Sequence, residues 1–335
     1  MSAQNLSENL IQEVQTRYGV GRQYARAYLE LFHQGRDHAY QHLDDILALP
    51  EPIPMWFEFA LSTNWRGKTI VDLLQPYFPE NASRYLDVGC GFGGFLVAFS
   101  QLGLQVCGIE IDQQRIDLAI ANCQDNDLQD CVINASILEP DLVDRLGQFD
   151  LITCIDVIEH VPDVANTIVN MVALLKPGGI LMLEIPNRDS LEFVAQDGHF
   201  SLFGITQLER QDAIRYHKAF FNFDYDVGDY FPLETYRAML EAQDCQVSLI
   251  QSPYDSTSNH KRQHVRRFSR QYLRYRQQNK PRLPDNINRK IHKNVLRYLL
   301  DMNKNLLRHS LSVDGRDYLR RRYLQNFWKV LARKA

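Results

Sequence analysis

Short apolar segments alternate with helical patterns from residue 84 onward, and this alternation limits the possible folds more than any other feature. The apolar segments are RYLDVG, QVCGIEID, CVINAS, FDLITCID and GILMLEIPN. Helical patterns lie between them, and a further helix and strand, LETYRAMLEAQDC and QVSLIQS, follow. Strands that alternate with helices at this spacing predict a parallel sheet with helices on both faces. We therefore expect an α/β fold.

The chain divides into three predicted regions. Residues 1–65 have apolar side chains at helical spacing behind Ser7, a predicted N-cap, and we expect a helical N-terminal segment. Residues 66–254 form the alternating core, and residues 255–335 form a basic region that we expect to be helical. Within the core, residues 188–232 are a long connection rich in aromatic residues, which is typical of a lid or a binding loop.

The charge of the chain is unevenly distributed. Residues 255–335 contain 22 Lys/Arg and 5 Asp/Glu, a net charge of +17. The other residues contain 37 − 22 = 15 Lys/Arg and 41 − 5 = 36 Asp/Glu, a net charge of −21. The basic region therefore either docks on the acidic body or binds an anionic partner.

One helix of the basic region is predicted to be amphipathic. An apolar stripe lies opposite its basic residues and consists of Ile287, Ile291, Val295, Leu299, Met302 and Leu306. Such a helix packs on the body of the protein or lies on a membrane surface, and the sequence favours packing.

The cysteine pattern and the apolar content predict a cytoplasmic protein. The six cysteines form no C-x-x-C pair, which indicates free thiols in a reducing compartment. No signal-peptide pattern and no run of about 18 uncharged apolar residues occurs, so we expect no transmembrane segment. Nothing in the sequence indicates an oligomeric state.

A glycine-rich stretch, LDVGCGFGG, closes the first predicted strand and fits two ligand-binding patterns. Gly89, Gly91 and Gly94 satisfy the dinucleotide pattern G-x-G-x-x-G. The stretch also satisfies D-x-G-x-G-x-G, which begins at Asp87 and includes Gly93. Because a carboxylate before the loop would repel a pyrophosphate at the helix N-terminus, the acid favours a ligand that carries an ammonium group. S-adenosylmethionine has such a group.

Three motifs in order carry a family resemblance. The glycine loop is followed by FDLITCIDVIEHVPD and LLKPGGILMLEIPN. Over roughly residues 66–250 the chain resembles the class I S-adenosylmethionine-dependent methyltransferases, and is most similar to small-molecule O-methyltransferases of the ubiquinone-pathway type and relatives acting on sugars and natural products. The resemblance implies a Rossmann-like sheet of seven strands with the last strand antiparallel. Six strands can be located in the sequence and the seventh cannot.

The resemblance implies a set of cofactor-binding residues. Asp87, Gly89, Gly91 and Gly93 match the cofactor loop. Glu110 ends the second strand, where a carboxylate can accept both ribose hydroxyls, with Ile111 beside it. Ser136 and Ile137 follow the third strand, where an adenine edge would lie, although Ser136 departs from the acid often found there. Cys154, near the end of the fourth strand, would face the adenosine and the sulfonium.

The stretch TCIDVIEHVPD leaves three roles open for Asp156, Glu159 and His160. His160 or Asp156 is a general base, or the three bind a divalent metal ion, or they cap the next helix, as Asp163 also can. Capping or another structural role is favoured and a metal is not. His199 and His217 in the 188–232 connection are further candidates for the base.

These observations predict an enzyme that uses S-adenosylmethionine to methylate a small-molecule or glycan-type acceptor, preferably at oxygen. The acceptor is expected to be flat or sugar-like, and a phosphate on it would suit the basic region. Two alternatives remain. The first is an RNA methyltransferase in which the basic region, with Phe268, Tyr272 and Tyr275, binds the nucleic acid. The second is a binding protein that retains the fold without turnover.

Overall fold

The computed structural model describes residues 6–36, 39–251 and 261–335, except for the side chains of residues 261–265. A seven-stranded sheet in the order β3-β2-β1-β4-β5-β7-β6 forms its centre. The strands are β1 (Arg84–Val88), β2 (Gln105–Glu110), β3 (Val132–Asn134), β4 (Phe149–Ile155), β5 (Leu175–Pro186), β6 (Cys245–Ile250) and β7 (Phe327–Lys334).

Helices cover both faces of the sheet, and they form the described regions before β1 and between β6 and β7. They are α1 (Glu8–Tyr18), α2 (Arg22–His33), α3 (Leu43–Leu47), α4 (Ile53–Leu61), α5 (Thr63–Leu74), α6 (Gly94–Ser100), α7 (Gln113–Gln124), α8 (Leu142–Leu146), α9 (Val164–Ala173), α10 (Leu191–Ala195), α11 (Arg210–Lys218), α12 (Leu233–Glu241), α13 (Lys261–Arg274), α14 (Asp285–His309) and α15 (Val313–Tyr323). Among the described helices, none is long and apolar enough to span a bilayer.

The sheet confirms the predicted α/β fold. Strands β1 to β5 are parallel, and β7 runs antiparallel to both of its neighbours, β5 and β6. Successive residues of β1 face opposite sides, because Leu86 and Val88 belong to one apolar core and Tyr85 to the other. All six strands located in the sequence are present, and their carboxyl ends meet along one edge where ligands bind in open α/β sheets.

The seventh strand comes from the last residues of the chain. Phe327–Lys334 is extended and pairs on both sides, with Val330 opposite both Leu183 and Leu249. The sequence analysis placed this segment in the helical basic region, and it differs there because the sheet supplies two partner strands. Both of its faces are covered, so the buried run Trp328–Ala332 lacks the alternation of a half-exposed strand.

The N-terminal helices pack on α7 beside the glycine loop. Ser7 caps α1 as predicted, by accepting a hydrogen bond from the Leu10 N–H. Asp125, at the end of α7, accepts hydrogen bonds from the Gln23 and Tyr24 backbone N–H groups at 3.1 and 2.9 Å. Within the predicted helical segment 1–65, residues 39–49 are helical only at α3, and residues 37–38 lie outside the described part of the chain.

The basic region packs on the 188–232 connection, and the two share one apolar core. This core joins residues such as Phe203 and Tyr216 to Ile287, Ile291 and Val295 of α14. The packed face is the predicted stripe, although its last member, Leu306, is 37% exposed. Ion pairs also join the two parts, and they link Arg267 to Glu192, Lys290 to Asp212 and Arg322 to Asp189. The basic region therefore docks on the body of the protein, which is one of the two alternatives that its charge predicted.

Candidate functional site

The glycine loop leaves β1 through a tight turn that needs glycine at two positions. Gly89 and Gly93 have φ values of +71° and +75°. A Cβ on Gly89 would lie 2.4 Å from the Val157 side chain, and one on Gly93 would lie 3.1 Å from the Ala119 carbonyl oxygen. The Gly89 and Cys90 N–H groups both donate to the Ile109 carbonyl, at 2.8 and 3.0 Å. The turn thus holds the backbone close to the end of β2 and leads into α6.

Glu110 ends β2 and organises the backbone around this turn. Its Oε2 accepts a hydrogen bond from the Gly91 N–H at 3.0 Å. Its Oε1 accepts from the Ile111 and Asp112 N–H groups at 2.8 and 3.1 Å. The side chain is buried, yet each carboxylate oxygen has more than one lone-pair direction, so the group can still accept hydroxyl donors from the cavity beside it.

A cavity of about 290 Å³ lies at the carboxyl ends of β1 to β4. Among the predicted cofactor residues, Gly89, Glu110, Ile111, Ser136 and Ile137 line it. Its walls also include apolar side chains such as Val157 and Leu138, and a cation, Arg115. This arrangement suits an adenosine group. The Glu110 carboxylate at one edge can accept hydrogen bonds from the ribose hydroxyls, and the apolar walls can pack against the base.

Asp87 lies beneath the loop and does not line this cavity. Its Oδ1 accepts a hydrogen bond from the Thr153 hydroxyl at 2.7 Å, and the carboxyl group is 2% exposed. Burial raises the pKa of Asp87 to about 7, and the nearby Glu110 also raises it, while the Thr153 hydroxyl and Arg66 lower it. The carboxyl group is therefore poised between its neutral and charged forms near neutral pH.

Asp156 lines the same cavity as His160 but has a partner of its own. Asp156 follows β4 with a φ of +55°, and its carboxylate pairs with Arg66 of α5. The Arg66 guanidinium also lies 4.0 Å from the centre of the Phe59 ring. Because the segment after β4 is a turn rather than a helix, Asp156, Glu159 and His160 do not share one helical face. The Arg66 pair occupies one of the carboxylate oxygens that a base or metal ligand would use.

Glu159 instead faces two imidazoles. Its Oε1 lies 3.6 Å from His199 Nε2 and 3.9 Å from His160 Nε2. The His160 and His199 rings meet edge to face with their centroids 5.2 Å apart. Glu159 is 2% exposed, and its Oε2 has no hydrogen-bond partner among the described residues. We call Glu159, His160 and His199 the acid–imidazole cluster.

The 188–232 connection is fixed on this cluster at several points. The Gly228 N–H donates to the Glu159 carbonyl at 2.6 Å, and a Cβ on Gly228 would lie 2.9 Å from that oxygen. His160 Nδ1 lies 3.3 Å from the Asp226 carbonyl oxygen and 3.5 Å from its carboxylate. The Trp56 indole N–H donates to the His199 carbonyl at 2.8 Å. Asp226 and His160 also line the cavity, so the cluster adjoins it.

The charge around His199 favours its protonated form. Burial lowers the pKa of His199, but the adjacent Glu159 carboxylate, with Asp197 and Asp226, outweighs this, so the pKa lies above its ordinary value.

His217 is in a different environment from His199. It is fully buried, and neither ring nitrogen has a hydrogen-bond partner among the described residues. Aromatic rings enclose it, with the Phe200 and Phe221 centroids at 4.5 and 4.8 Å. Burial lowers the pKa of His217, so the imidazole stays neutral. The residue does not line the cavity at the strand ends and packs as a flat apolar group.

The structure thus brings together only part of the predicted site. Gly91, Gly93 and Cys154 shape the floor and do not line the cavity, and Cys154 is fully buried in the core. Asp163 caps α9 as predicted, by accepting from the Asn166 N–H at 3.0 Å.

Sequence reasoning missed three side chains at the site. Arg66 comes from the N-terminal helices, Arg115 from α7 and Asp226 from the 188–232 connection. Arg115 stands five residues after Glu110 on the helix that follows β2, and this spacing could have indicated it. The other two reach the site only through tertiary packing.

The basic region uses its aromatic residues internally. The rings of Phe268, Tyr272 and Tyr275 lie 5.5, 5.5 and 5.2 Å from the ring of Phe203 in the connection. Side chains that pack against the protein in this way are not free stacking surfaces for bases, so the RNA alternative is not favoured.

The strand order, the reversed strand and the glycine loop define a methyltransferase-type α/β domain. A family model described as a methyltransferase domain matches residues 63–250, more than half of the chain. The chain belongs to this family, and its resemblance to the class I S-adenosylmethionine-dependent methyltransferases is confirmed.

Named relatives match a smaller part of the chain. A ubiquinone biosynthesis O-methyltransferase from Psychrobacter arcticus is 34% identical over 112 residues, which are 33% of this chain and 44% of that protein. The protein of the same name from Coxiella burnetii is 37% identical over 105 residues, 31% of this chain and 44% of its own length. The chain thus spans less than half the length of these relatives. A SAM-dependent methyltransferase structure from Archaeoglobus fulgidus is similar with a TM-score of 0.45 and 16% identity, covering 84% of this chain and 98% of that one.

Proposed function

We propose that the protein transfers a methyl group from S-adenosylmethionine to an oxygen atom of a small-molecule or glycan-type acceptor. The observation that carries the proposal is the buried Glu110 carboxylate between the glycine loop and a cavity at the strand ends. The methyltransferase-domain family and the O-methyltransferase relatives support the reaction class.

The residues of the cavity fit the cofactor. Glu110 accepts the ribose hydroxyls, and Ser136 and Ile137 lie along the adenine edge. Asp87 supports the loop from below and, in its charged form, attracts the ammonium end. When bound, S-adenosylmethionine supplies an electrophilic methyl carbon on a positively charged sulfur.

The acceptor is placed beneath the 188–232 connection, next to the acid–imidazole cluster. His160 belongs to this cluster and also lines the cofactor cavity. An acceptor next to the cluster therefore lies beside the methyl group. The enzyme has to align the acceptor oxygen and remove its proton. Bound S-adenosylmethionine would supply the methyl group, and the acid–imidazole cluster would take up the proton of the acceptor oxygen. Asp156, paired with Arg66, and the enclosed His217 are weaker candidates for this step.

Substitution of Glu110 tests the cofactor site. We expect Glu110→Ala to weaken S-adenosylhomocysteine binding by about 1.5–3 kcal/mol, the range for hydrogen bonds to charged groups. Isothermal titration measures the affinity. Glu139→Gln is the matched control, because Glu139 also accepts a backbone N–H near the cavity, from Ser136 at 2.7 Å, but does not line it. Equal affinity of Glu110→Ala and the wild type would remove the proposed site.

An acceptor that carries a phosphate has a suitable place in a second cavity. This cavity, of about 700 Å³, lies between the connection and α14. Its lining includes four cations, Arg188, Arg210, Arg297 and Arg322, and four carboxylates, Asp189, Glu209, Asp229 and Asp301. Among the described residues, only Arg322 of these cations has a carboxylate within 4.0 Å. Pyrophosphate is expected to raise the melting temperature, and Arg188→Ala to reduce that rise while Arg276→Ala, outside the cavity, does not. If pyrophosphate does not raise the melting temperature at low salt, the proposed phosphate site in this cavity is ruled out.

A peripheral membrane contact has support on the outer face of α14. Four leucines at helical spacing on or just after this helix are between 59% and 91% exposed: Leu296, Leu300, Leu307 and Leu311. Exposed cations flank them, namely Lys293, Arg297, Lys304 and Arg308. We propose that this face binds anionic lipid surfaces. Vesicles containing phosphatidylglycerol are expected to bind the protein and phosphatidylcholine vesicles are not. Equal binding to both, or to neither, contradicts the proposal.

A cytoplasmic location is proposed from the thiols. All six cysteines are unpaired, and five of them are buried. Free thiols in this number are typical of a reducing compartment. Cell fractionation is the direct measurement, and recovery outside the cytoplasm would contradict it.

A further inference from the structure

We propose that Glu159, His160 and His199 bind a divalent transition-metal ion. The sequence analysis did not favour a metal, and the set it considered contained Asp156, which pairs with Arg66. The structure replaces Asp156 with His199, which lies 40 residues beyond Glu159 in the sequence. One ligand atom from each of the three side chains lies within 4.8 Å of the other two, a grouping that can surround one ion.

The distances within the cluster are close to those of a coordinated metal. Ligand atoms about 2.1 Å from a tetrahedral Zn²⁺ are about 3.4 Å apart. Glu159 Oε1 lies 3.6 Å from His199 Nε2 and 3.9 Å from His160 Nε2. The two ligand atoms of the imidazoles lie within 4.8 Å of each other. Rotation of the three side chains would therefore have to bring these atoms closer together for all of them to reach one ion.

The burial of Glu159 provides an independent argument. Its carboxylate is 2% exposed, and Oε2 has no hydrogen-bond partner among the described residues. A buried carboxylate oxygen without a partner costs free energy that a bound cation would recover.

The surroundings of His160 also suit a metal ligand. A coordinating imidazole usually donates its second N–H to a carboxylate or a carbonyl oxygen. His160 Nδ1 lies 3.3 Å from the Asp226 carbonyl and 3.5 Å from the Asp226 carboxylate. This contact places the proton on Nδ1 and leaves the Nε2 lone pair towards Glu159. On the other side, the Trp56 N–H holds the His199 carbonyl in place.

The ligand set indicates the kind of metal and its role. Two imidazoles and one carboxylate are typical of Zn²⁺, Fe²⁺ and related ions with open coordination positions, whereas Mg²⁺ and Ca²⁺ prefer oxygen ligands. An acceptor hydroxyl bound at an open position would have a lowered pKa and would release its proton to solvent water. This role rests on the proposed methyl transfer, but the binding of the metal does not.

Metal titration of the chelator-treated, cofactor-free chain tests the proposal. We expect one Zn²⁺ or Co²⁺ per chain by titration calorimetry, and Co²⁺ to give a visible absorption spectrum that reports imidazole and carboxylate ligands. Glu159→Gln and His160→Ala are each expected to weaken the affinity at least about 10-fold. The first keeps the size of the buried side chain, and the second removes a partly exposed one, so at least one of them should fold.

The matched control is His42→Ala. His42 and Glu13 form a histidine–glutamate pair at 3.1 Å, but on the exposed surface and away from the cavity. The control is expected to leave the affinity unchanged. The absence of stoichiometric metal, or equal metal binding by the control and both cluster variants, overturns the inference. S-adenosylhomocysteine titration of the same samples separates this failure from failure of the proposed function.

Discussion

The charge of the Asp87 carboxyl group depends on its burial in the folded protein. It sits under the glycine loop between Thr153, which donates to it, and the like charge of Glu110. Because its pKa in the folded protein is about 7 and its ordinary value is 3.8, the folded state favours the neutral acid. The stabilisation is complete below about pH 3.8 and is lost as the pH rises through about 7.

Asp87→Asn is expected to remove this pH dependence. An amide stays neutral, so the stability of the variant relative to the wild type should rise by about 2–4 kcal/mol between pH 4 and pH 7. Urea unfolding of both cofactor-free proteins at the two pH values measures the difference. A constant difference across this range would mean that Asp87 titrates normally.

His217 illustrates the opposite case, a histidine whose charge the fold excludes. Neither ring nitrogen has a hydrogen-bond partner among the described residues, and burial lowers the pKa of the imidazole. The folded protein therefore loses stability at this residue as the pH falls below about 6.5. We expect His217→Phe to unfold at the same or a higher urea concentration at pH 7, because an apolar ring needs no hydrogen bonds. The variant should retain methyl transfer, and loss of turnover in a stably folded His217→Phe would reinstate His217 as a catalytic residue.

Single residues of the site were predictable where a strand end fixed them. Glu110, Ser136 and Ile137 follow recognisable strands, and the parallel sheet brings those ends to one edge. The pairing of Glu159 with His199 was not predictable, because it depends on the path of the connection between them. Arg66 was missed for the same reason, since α5 and the end of β4 are brought together only by tertiary packing.

At the scale of elements, β7 decides whether the sheet is complete. It lies between β5 and β6, so without it β5 would become an edge strand and β6 would lose the one strand it pairs with in the described sheet. The sequence did not reveal it, because the strand follows Arg320, Arg321 and Arg322 and its buried run shows no alternation. The other six strands were predictable, since each is a short apolar run between helical patterns.

A pair of identical substitutions tests the contribution of β7. Leu331 is 4% exposed in the sheet, whereas Leu311 is 91% exposed after α14. Leu331→Ala is expected to lower the free energy of unfolding by about 2–5 kcal/mol, as for other buried leucines. Leu311→Ala should change it by less than about 0.5 kcal/mol. Urea unfolding measures both, and similar small effects would place β7 outside the cooperative core.

At the scale of the whole molecule, the two ends of the chain complete the domain. The N-terminal helices supply Arg66 and Trp56 to the site, and the basic region packs against the connection that covers the acceptor position. The uneven charge predicted that the basic region could dock on the body of the protein. In the structure, a shared apolar core and ion pairs hold the two together. The resulting site is enclosed by parts of the chain that lie more than 200 residues apart in the sequence.

The central claim is that the cavity at the ends of β1 to β4 binds an adenosyl methyl donor, and thermal unfolding of the purified chain tests it most directly. S-adenosylhomocysteine at about 100 times its dissociation constant should add roughly 2.7 kcal/mol of stability and raise the melting temperature. NAD⁺ at the same concentration should have no effect. Protection by NAD⁺ and none by S-adenosylhomocysteine would contradict the account.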